Sequence, residues 1–298
     1  MDYIKRIRSR LFRNDYGIND IPSQKGIVNI ENYPLDNVGD YLGPIIVNSL
    51  IENAPNLRLD NQGKTRHLMS VGSIVSMGYF DATIWGSGLI NEEAQKIVLY
   101  KKNRYRRKLD IRAVRGPLTR KALIESGYVC PEVYGDPAIL LPNIYPGKLL
   151  CSEKKISLIL HYRTKMVDLK YGKAEKYELP IDQKLVDDAL IHYIDPKTHN
   201  YKSFIDQILK SNLVISSSLH GIILAEAYGV PAVFLNYGVE EQMFKFNDWY
   251  LSTHRQLKYC STIEEALDTS PNELPDLSEM RENLLNSFPY DLWEQNEK

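Results

Sequence analysis

The sequence predicts an α/β protein with two domains that face each other across a cleft. Short apolar runs rich in β-branched residues alternate with segments of helical spacing, which is the pattern of parallel sheets. The chain has 298 residues, more than one hydrophobic core usually supports. A link containing proline and glycine at residues 141–147 divides the strands into two series. We therefore expect an N-terminal domain at 1–145 and a C-terminal domain at 146–298.

The individual elements follow from apolar periodicity and from the residues that end helices. In the first half, strands are expected at 26–30, 67–71, 82–85 and 110–114, and helices at 42–51 and 118–126. In the second half, strands are expected at 155–161 and 190–194, with a helix at 203–210 and further helices in the acidic segment 262–298. Parallel sheets bind ligands in the loops beyond the strand carboxyl ends, so candidate residues are sought there.

Residues 213–235 form the most informative segment, because they have the pattern of strand, polar turn, helix and second strand. His220 falls at the start of that helix, directly after the three serines 216–218, which can cap it. The unpaired N–H groups and the positive dipole end of a helix start favour a bound anion. The segment predicts an anion site beside a proton donor. The alternative is a histidine that only helps to cap the helix.

Composition excludes several classes of function. The net charge is −1 with 25% charged residues, so the chain lacks the overall basic charge of nucleic-acid binders. The three cysteines, Cys130, Cys151 and Cys260, are far apart and form no CxxC pair, which argues against disulfides and zinc. No apolar run approaches the roughly 18 residues of a membrane span. We expect a cytoplasmic protein without a metal or cofactor.

The N-terminal residues 3–13 combine an apolar helical face, formed by Ile4, Ile7 and Leu11, with basic residues on the other faces. This pattern fits a short basic helix that docks on its own domain or frays. It also fits a helix lying on an anionic membrane surface, which would place the protein at the inner face of the membrane as a peripheral protein.

Two polar loops in the first half are candidate site segments. The first is Asn37-Val-Gly-Asp40, where Asp40 is either a helix cap or a carboxylate that faces the cleft and polarises a hydroxyl. The second is Gly86-Ser-Gly88, which follows a strand and gives either backbone room for a ligand or a plain turn.

Arginines at strand ends are candidate anion ligands. Arg115 lies between a strand and a helix, where a guanidinium adds a bidentate fork to the helix start, although it could also be a solvated member of the basic tract 101–121. His161 ends the first strand of the second half and Arg163 follows it closely, where a cleft residue would lie. Asp136 precedes a proline and is expected mainly to hold its loop.

Taken together, six segments in this order and spacing resemble the polysaccharide pyruvyl transferases, which move the enolpyruvyl group of phosphoenolpyruvate onto sugar hydroxyls as a pyruvate ketal. The resemblance spans most of the chain. It rests on Asn37-Val-Gly-Asp40, Trp85-Gly-Ser-Gly88, Val114-Arg-Gly-Pro-Leu-Thr119, Tyr134-Gly-Asp-Pro-Ala-Ile-Leu-Leu141, Ser216-Ser-Ser-Leu-His-Gly221 and Ala225-Glu-Ala-Tyr-Gly-Val-Pro231.

The resemblance implies two Rossmann-like domains arranged as in GT-B glycosyltransferases. It assigns His220 as the acid and implies that Arg115 holds the donor, while Asp40 orients or deprotonates the sugar hydroxyl. Many members have an arginine where this chain has Ser218, so Arg115, and then Arg163, are expected to supply the missing anion contact. The remaining residues expected to bind substrate are Asn37, Gly39, Gly86, Ser87, Gly88, Ser217, Leu219 and Gly221.

Three hypotheses of function follow. The first is a ketal pyruvyltransferase with phosphoenolpyruvate as donor substrate and a lipid-linked or nucleotide-linked sugar as acceptor, in capsule or exopolysaccharide assembly. The second is a nucleotide-sugar glycosyltransferase on the same scaffold. The third is a non-catalytic paralogue in polysaccharide assembly, which the serine at position 218 makes conceivable.

Overall fold

The structure is a computed structural model that describes residues 18–20, 28–33, 37–53, 66–147, 155–168, 178–181 and 191–293. The predicted α/β class is confirmed, because the chain forms two parallel sheets with helices packed around them. The basic segment 3–13 and Cys151 lie outside the described residues. Within the described residues, no helix is both long enough and apolar enough to cross a bilayer.

The first sheet has five strands in the order of the chain. These are β1 (Ile18–Asp20), β2 (Val28–Glu31), β3 (Arg66–Met69), β4 (Ala82–Trp85) and β5 (Leu109–Ala113). Strand β1 runs antiparallel to β2, and the others are parallel. Every residue of β2 and β4 is buried, as expected for strands whose sheet is covered on both faces.

The second sheet consists of β6 (Ile156–Ile159), β9 (Ile191–Tyr193), β10 (Leu213–Ser216) and β11 (Ala232–Phe234). These strands lie in the order β11-β10-β6-β9, and all of them are parallel. A separate parallel pair is formed by β7 (Lys165–Asp168) and β8 (Glu178–Ile181), which the sequence did not predict.

The helices agree with most of the predicted segments. They are α1 (Val38–Glu52), α2 (Glu92–Tyr105), α3 (Pro117–Glu125), α4 (Leu141–Ile144), α5 (Tyr201–Ile208), α6 (Leu219–Ala227), α7 (Met243–Ser252), α8 (Ile263–Asp268) and α9 (Ser278–Asn286). Short 3-10 turns lie at Pro137–Leu140, Glu240–Gln242 and Tyr290–Leu292. Helix α7 was not predicted, and it supplies an important site residue.

One hydrophobic cluster extends across both halves of the molecule. It joins Val28 of β2 and Trp85 of β4 to Ile222 of α6 and Phe246 of α7. Every residue of α6 is buried, so this helix lies inside the protein rather than on its surface. The start of α6, which carries His220, is therefore held in place by the packing of its helix.

The C-terminal segment packs against the first half of the chain. The Trp85 Nε1–H donates to the Leu284 carbonyl oxygen at 2.9 Å, and the Trp85 ring meets Phe288 edge-to-face at 4.8 Å. Arg112 pairs with Asp291 at 2.8 Å. The predicted division at 145/146 thus lies between the two sheets, but α9 and the residues after it contact the domain predicted to end at 145. The sequence carries no local signal for this return.

Candidate active site

The carboxyl ends of strands from both sheets converge on one cavity of about 220 Å³. Its lining comes from the loops after β2, β3, β4, β6 and β10 and from the segment that begins α7, which is the position expected for a ligand site in parallel sheets. The lining residues are Tyr33, Asn37, Asp40, Ser73, Ile74, Ser76, Met77, Ile90, His161, Tyr162, Arg163, Ser218, Leu219, His220, Gln242 and Lys245.

Asp40 brings a carboxylate into this cavity from the first turn of α1. Asn37, not Asp40, takes the N-cap position, and its Nδ2 donates to Asp40 Oδ2 at 2.8 Å. Burial raises the pKa of the Asp40 carboxyl, while His220, the Asn37 hydrogen bond and Lys245 oppose that rise. A carboxylate whose pKa is raised is a stronger base, so the cleft-facing interpretation of Asp40 fits its position.

His220 is the second residue of α6, and the serines before it build the turn that presents it. Ser218 is the N-cap and accepts from the Gly221 N–H, as expected for a serine at this position. The Ser217 hydroxyl accepts from the His161 N–H at 2.7 Å and is fully buried. Of the predicted ligands in this turn, Ser218 and Leu219 line the cavity with His220, whereas Ser217 and Gly221 lie behind it.

The absence of a side chain at Gly39 lets the start of α1 lie directly against His220. A Cβ atom at position 39 would lie 1.9 Å from His220 Nδ1 and 2.2 Å from His220 Cγ. The start of α1 therefore packs directly against the imidazole ring. The backbone of the same turn is tied to the second half, since the Val38 N–H donates to the Pro196 carbonyl oxygen at 2.8 Å.

We predict that Gly39→Ala displaces the imidazole and lowers turnover by roughly 10²-fold, close to the loss of a general acid. The matched control is Gly43→Ala, one turn further along α1, where the new Cβ meets only the Ser70 hydroxyl within 3 Å. Rotation of that hydroxyl relieves the contact, so activity should change by only a few fold. Steady-state kinetics of both variants test the prediction, and equal activity of the two would contradict it.

Basic groups complete the cavity. Lys245 of α7 is buried, and burial together with the nearby Arg115 lowers its pKa to about 7. Its ammonium donates to the Gln242 side chain. Burial, Lys245 and Arg163 lower the pKa of His161 to about 3, so His161 is neutral. Lys245 was missed in the sequence because it stands alone in the apolar run Met243-Phe-Lys-Phe246, and only that isolation marks it.

Arg115 lies beneath the cavity and does not line it. It is fully buried, its Nη1 donates to the Ser73 hydroxyl at 2.7 Å, and its Nη2 lies 3.2 Å from Asp248 Oδ2. Asp248 Oδ1 also accepts the N–H groups of Leu118 and Thr119 at the start of α3, at 2.9 and 3.0 Å. The anion site expected at this helix start is present, but it is filled by the protein's own carboxylate. A substrate role for Arg115 does not fit this packing.

The glycine loop after β4 also serves packing. A Cβ at Gly86, whose φ is +84°, would lie 2.3 Å from Pro137 Cδ, and a Cβ at Gly88 would lie 2.4 Å from Arg115 Cζ. The Ser87 hydroxyl donates to the Gly72 carbonyl oxygen at 2.8 Å. These three residues were expected to bind substrate, but they lie outside the cavity lining, and their small size admits neighbouring parts of the chain.

The fold is that of an α/β protein with two parallel sheets. At the carboxyl ends of their strands, the His220 imidazole, the Asp40 carboxylate and the Lys245 amine line one cavity. The sequence profile of a family described as polysaccharide pyruvyl transferase matches residues 73–239, more than half of the chain. The chain belongs to the polysaccharide pyruvyl transferase family, and thus to a family of transferases.

Relatives and solved structures give further comparisons. The chain is 31% identical over 141 residues to the succinoglycan biosynthesis protein ExoV of Rhizobium meliloti (strain 1021), covering 47% of this chain and 39% of that protein. It is 31% identical over 214 residues to the uncharacterized protein L143 of Acanthamoeba polyphaga mimivirus, covering 67% and 66%. It therefore spans less than two thirds of either relative.

A solved alpha-glucosyltransferase in complex with UDP and DNA overlaps 87% of this chain and 89% of its own, at 11% identity and a TM-score of 0.30. A similarity this weak carries no argument about function or domain arrangement.

Proposed function

We propose that the protein transfers the pyruvyl group of phosphoenolpyruvate to two hydroxyls of one sugar residue, forming a pyruvate ketal on a polysaccharide or its precursor. The observation that carries the proposal is the meeting of His220, Asp40 and Lys245 on one cavity. This set provides a proton donor, a proton acceptor and a cation for an anionic donor substrate. Membership of the family supports the same reaction class.

The donor substrate carries a carboxylate and a phosphate, and the cavity offers several groups that bind anions. Lys245 lines it, Arg163 stands at its edge, and Leu219 brings the start of α6, a helix N-terminus, into the lining. In this proposal, Lys245 and Arg163 take over the role that the sequence suggested for Arg115. Ser218, where many family members have arginine, caps the helix and leaves the charge to these two residues.

The proposed chemistry needs one acid and one base. His220 protonates the methylene carbon of phosphoenolpyruvate, so C2 becomes electrophilic. The first sugar hydroxyl adds to C2 and gives its proton to Asp40. The second hydroxyl then displaces inorganic phosphate from C2, closes the ketal ring and gives its proton to the departing phosphate or to solvent. No cofactor or metal enters this scheme.

The acceptor is proposed to be a lipid-linked or nucleotide-linked sugar used in capsule or exopolysaccharide assembly on the cytoplasmic side of the membrane. The name of the ExoV relative, a succinoglycan biosynthesis protein, supports an exopolysaccharide. Contact of residues 3–13 with the membrane surface belongs to the same proposal.

We predict that phosphoenolpyruvate binding takes up a proton at pH 8 and that Lys245→Met removes most of this uptake. The pKa of Lys245 is lowered to about 7, so its amine is largely neutral at pH 8 before ligand binds. A bound anion favours the ammonium form, and affinity therefore weakens as pH rises above 7. Loss of a charged hydrogen bond should raise the dissociation constant about tenfold or more.

Calorimetry in buffers of different ionisation enthalpy measures the uptake, and a thermal-shift titration against a panel of nucleotide sugars measures selectivity. The matched control is Lys202→Met, since Lys202 lies on α5 and outside the cavity lining. Stabilisation by a nucleotide sugar but not by phosphoenolpyruvate would contradict the proposed donor and favour a glycosyltransferase.

A further inference from the structure

We propose that Asp136 is a positioning residue for His220: its carboxylate holds the imidazole proton on Nε2, so that Nδ1 is the nitrogen that handles the proton of the reaction. This inference rests on the proposed function for the role of His220. The pairing of the Asp136 and His220 side chains does not depend on which substrate binds. The sequence alone predicted mainly a loop-holding role for Asp136.

The geometry pairs two buried polar atoms. His220 Nε2 lies 3.6 Å from Asp136 Oδ2, and the Asp136 side chain is fully buried. Neither atom has a hydrogen-bond partner among the residues that the structure describes. Buried polar atoms are rarely left unpaired, and a buried carboxylate without a counter-group is costly. A proton on Nε2 gives each of these atoms a partner after a small approach of the ring.

The carboxylate is held firmly by its own loop. Asp136 Oδ1 accepts the Ala138 N–H at 3.0 Å at the start of a 3-10 turn. The Gly135 N–H donates to the Val114 carbonyl oxygen at 3.0 Å, which ties the loop to the end of β5. Asp136 Oδ1 thus accepts a hydrogen bond from its own loop, and Oδ2 lies beside the imidazole. Asp136 therefore can hold its loop and position His220 at the same time.

The rest of the site separates the two ring nitrogens. The close approach of Gly39 is to Nδ1 and Cγ, so the Nδ1 edge lies beside the turn that carries Asp40 into the cavity. Nε2 is fully enclosed on the side of Asp136. A carboxylate on one nitrogen of an imidazole selects the tautomer with the proton there, which leaves the other nitrogen to take up or give the second proton.

Nitrogen-15 NMR of histidine-labelled protein, without any substrate, tests the assignment. The His220 resonances are identified by their loss in His220→Gln, and neutral His220 should be the Nε2–H tautomer. In Asp136→Asn that preference should weaken or reverse, because an amide can donate to Nε2 as well as accept from it. Asp40→Asn is the matched control: it changes the cavity-side carboxylate and should leave the Nε2–H tautomer in place.

Turnover provides the second readout. Asp136→Asn keeps an oxygen for the Ala138 N–H, and it should lower kcat by about tenfold or more, within the contribution of a general acid, with a smaller change in the KM for phosphoenolpyruvate. A neutral Nδ1–H tautomer in the unmodified protein would overturn the proposal, and that measurement needs no variant to fold. The expected tautomers without any pyruvyl transfer would leave the positioning role supported and refute the proposed function.

Discussion

Replacement of His220 by alanine is expected to lower turnover with phosphoenolpyruvate by roughly 10²-fold or more, because the proposed reaction loses the residue proposed as its proton donor. His220 is the imidazole that lines the cavity at a helix start, and the carboxylates of Asp40 and Asp136 both lie close enough to interact with it. Phosphate release from phosphoenolpyruvate in the presence of the acceptor measures the effect. The melting temperature should fall, because the variant leaves a cavity and removes the partner of the buried Asp136 carboxylate, so turnover is measured well below it.

His192→Ala is the matched control for this variant. His192 lies on β9, is exposed and hydrogen-bonds to Gln207 at 3.1 Å, outside the cavity lining. Its loss should leave turnover unchanged. If His220→Ala were as active as His192→Ala, His220 would not be the acid, and the cavity would need another proton donor.

The strands and helices that carry this site were largely predictable, because the signals for them lie in short stretches of the sequence. Strand β4 was predicted at its observed bounds, and the strand–helix unit around His220 was correctly placed, because apolar periodicity and capping residues act over a few positions. Asn37 and Asp40, which both line the cavity, were singled out because they lie next to a helix start in the sequence. These features depend on neighbours along the chain.

The partners of the site residues were harder to predict, because they come from distant segments. Arg115 was expected to bind a substrate anion, but its anion is Asp248, which lies more than a hundred positions further along the chain. Asp136 faces His220 only because its loop meets the start of α6 in the folded protein. Lys245 is marked in the sequence only by its isolation in an apolar run. Pairings of this kind depend on tertiary packing, and periodicity does not report them.

Asp248→Asn is expected to lower the free energy of unfolding by about 3–5 kcal/mol, the usual cost of breaking a buried ion pair by removing one partner. Arg115 and Asp248 are both fully buried, so the guanidinium would lose its counter-charge. The amide would also place a donor where the carboxylate accepts from the hydroxyl of Thr119 at 2.6 Å. Urea unfolding measures the change.

Asp276→Asn is the matched control for the stability prediction. Asp276 is also an aspartate at a helix start, where it accepts the Ser278 N–H at 2.9 Å, but it is exposed. The amide oxygen of asparagine can accept the same N–H, so this change at an exposed position should cost less than about 0.5 kcal/mol. An equally small cost for Asp248→Asn would mean that the Arg115 pair contributes little to folding.

Asp248→Asn should also weaken the binding of phosphoenolpyruvate at the proposed donor site, because Asp248 and Lys245 lie one turn apart on α7. Asp248 anchors this helix to the start of α3, where a Cβ at Gly116 would lie 2.1 Å from the Asp248 carbonyl oxygen. That anchor holds the Lys245 amine against the cavity. Asp248→Asn should therefore raise the dissociation constant for phosphoenolpyruvate even under conditions where the protein remains folded, whereas Asp276→Asn should not. Unchanged affinity would show that α7 keeps its place without the buried pair.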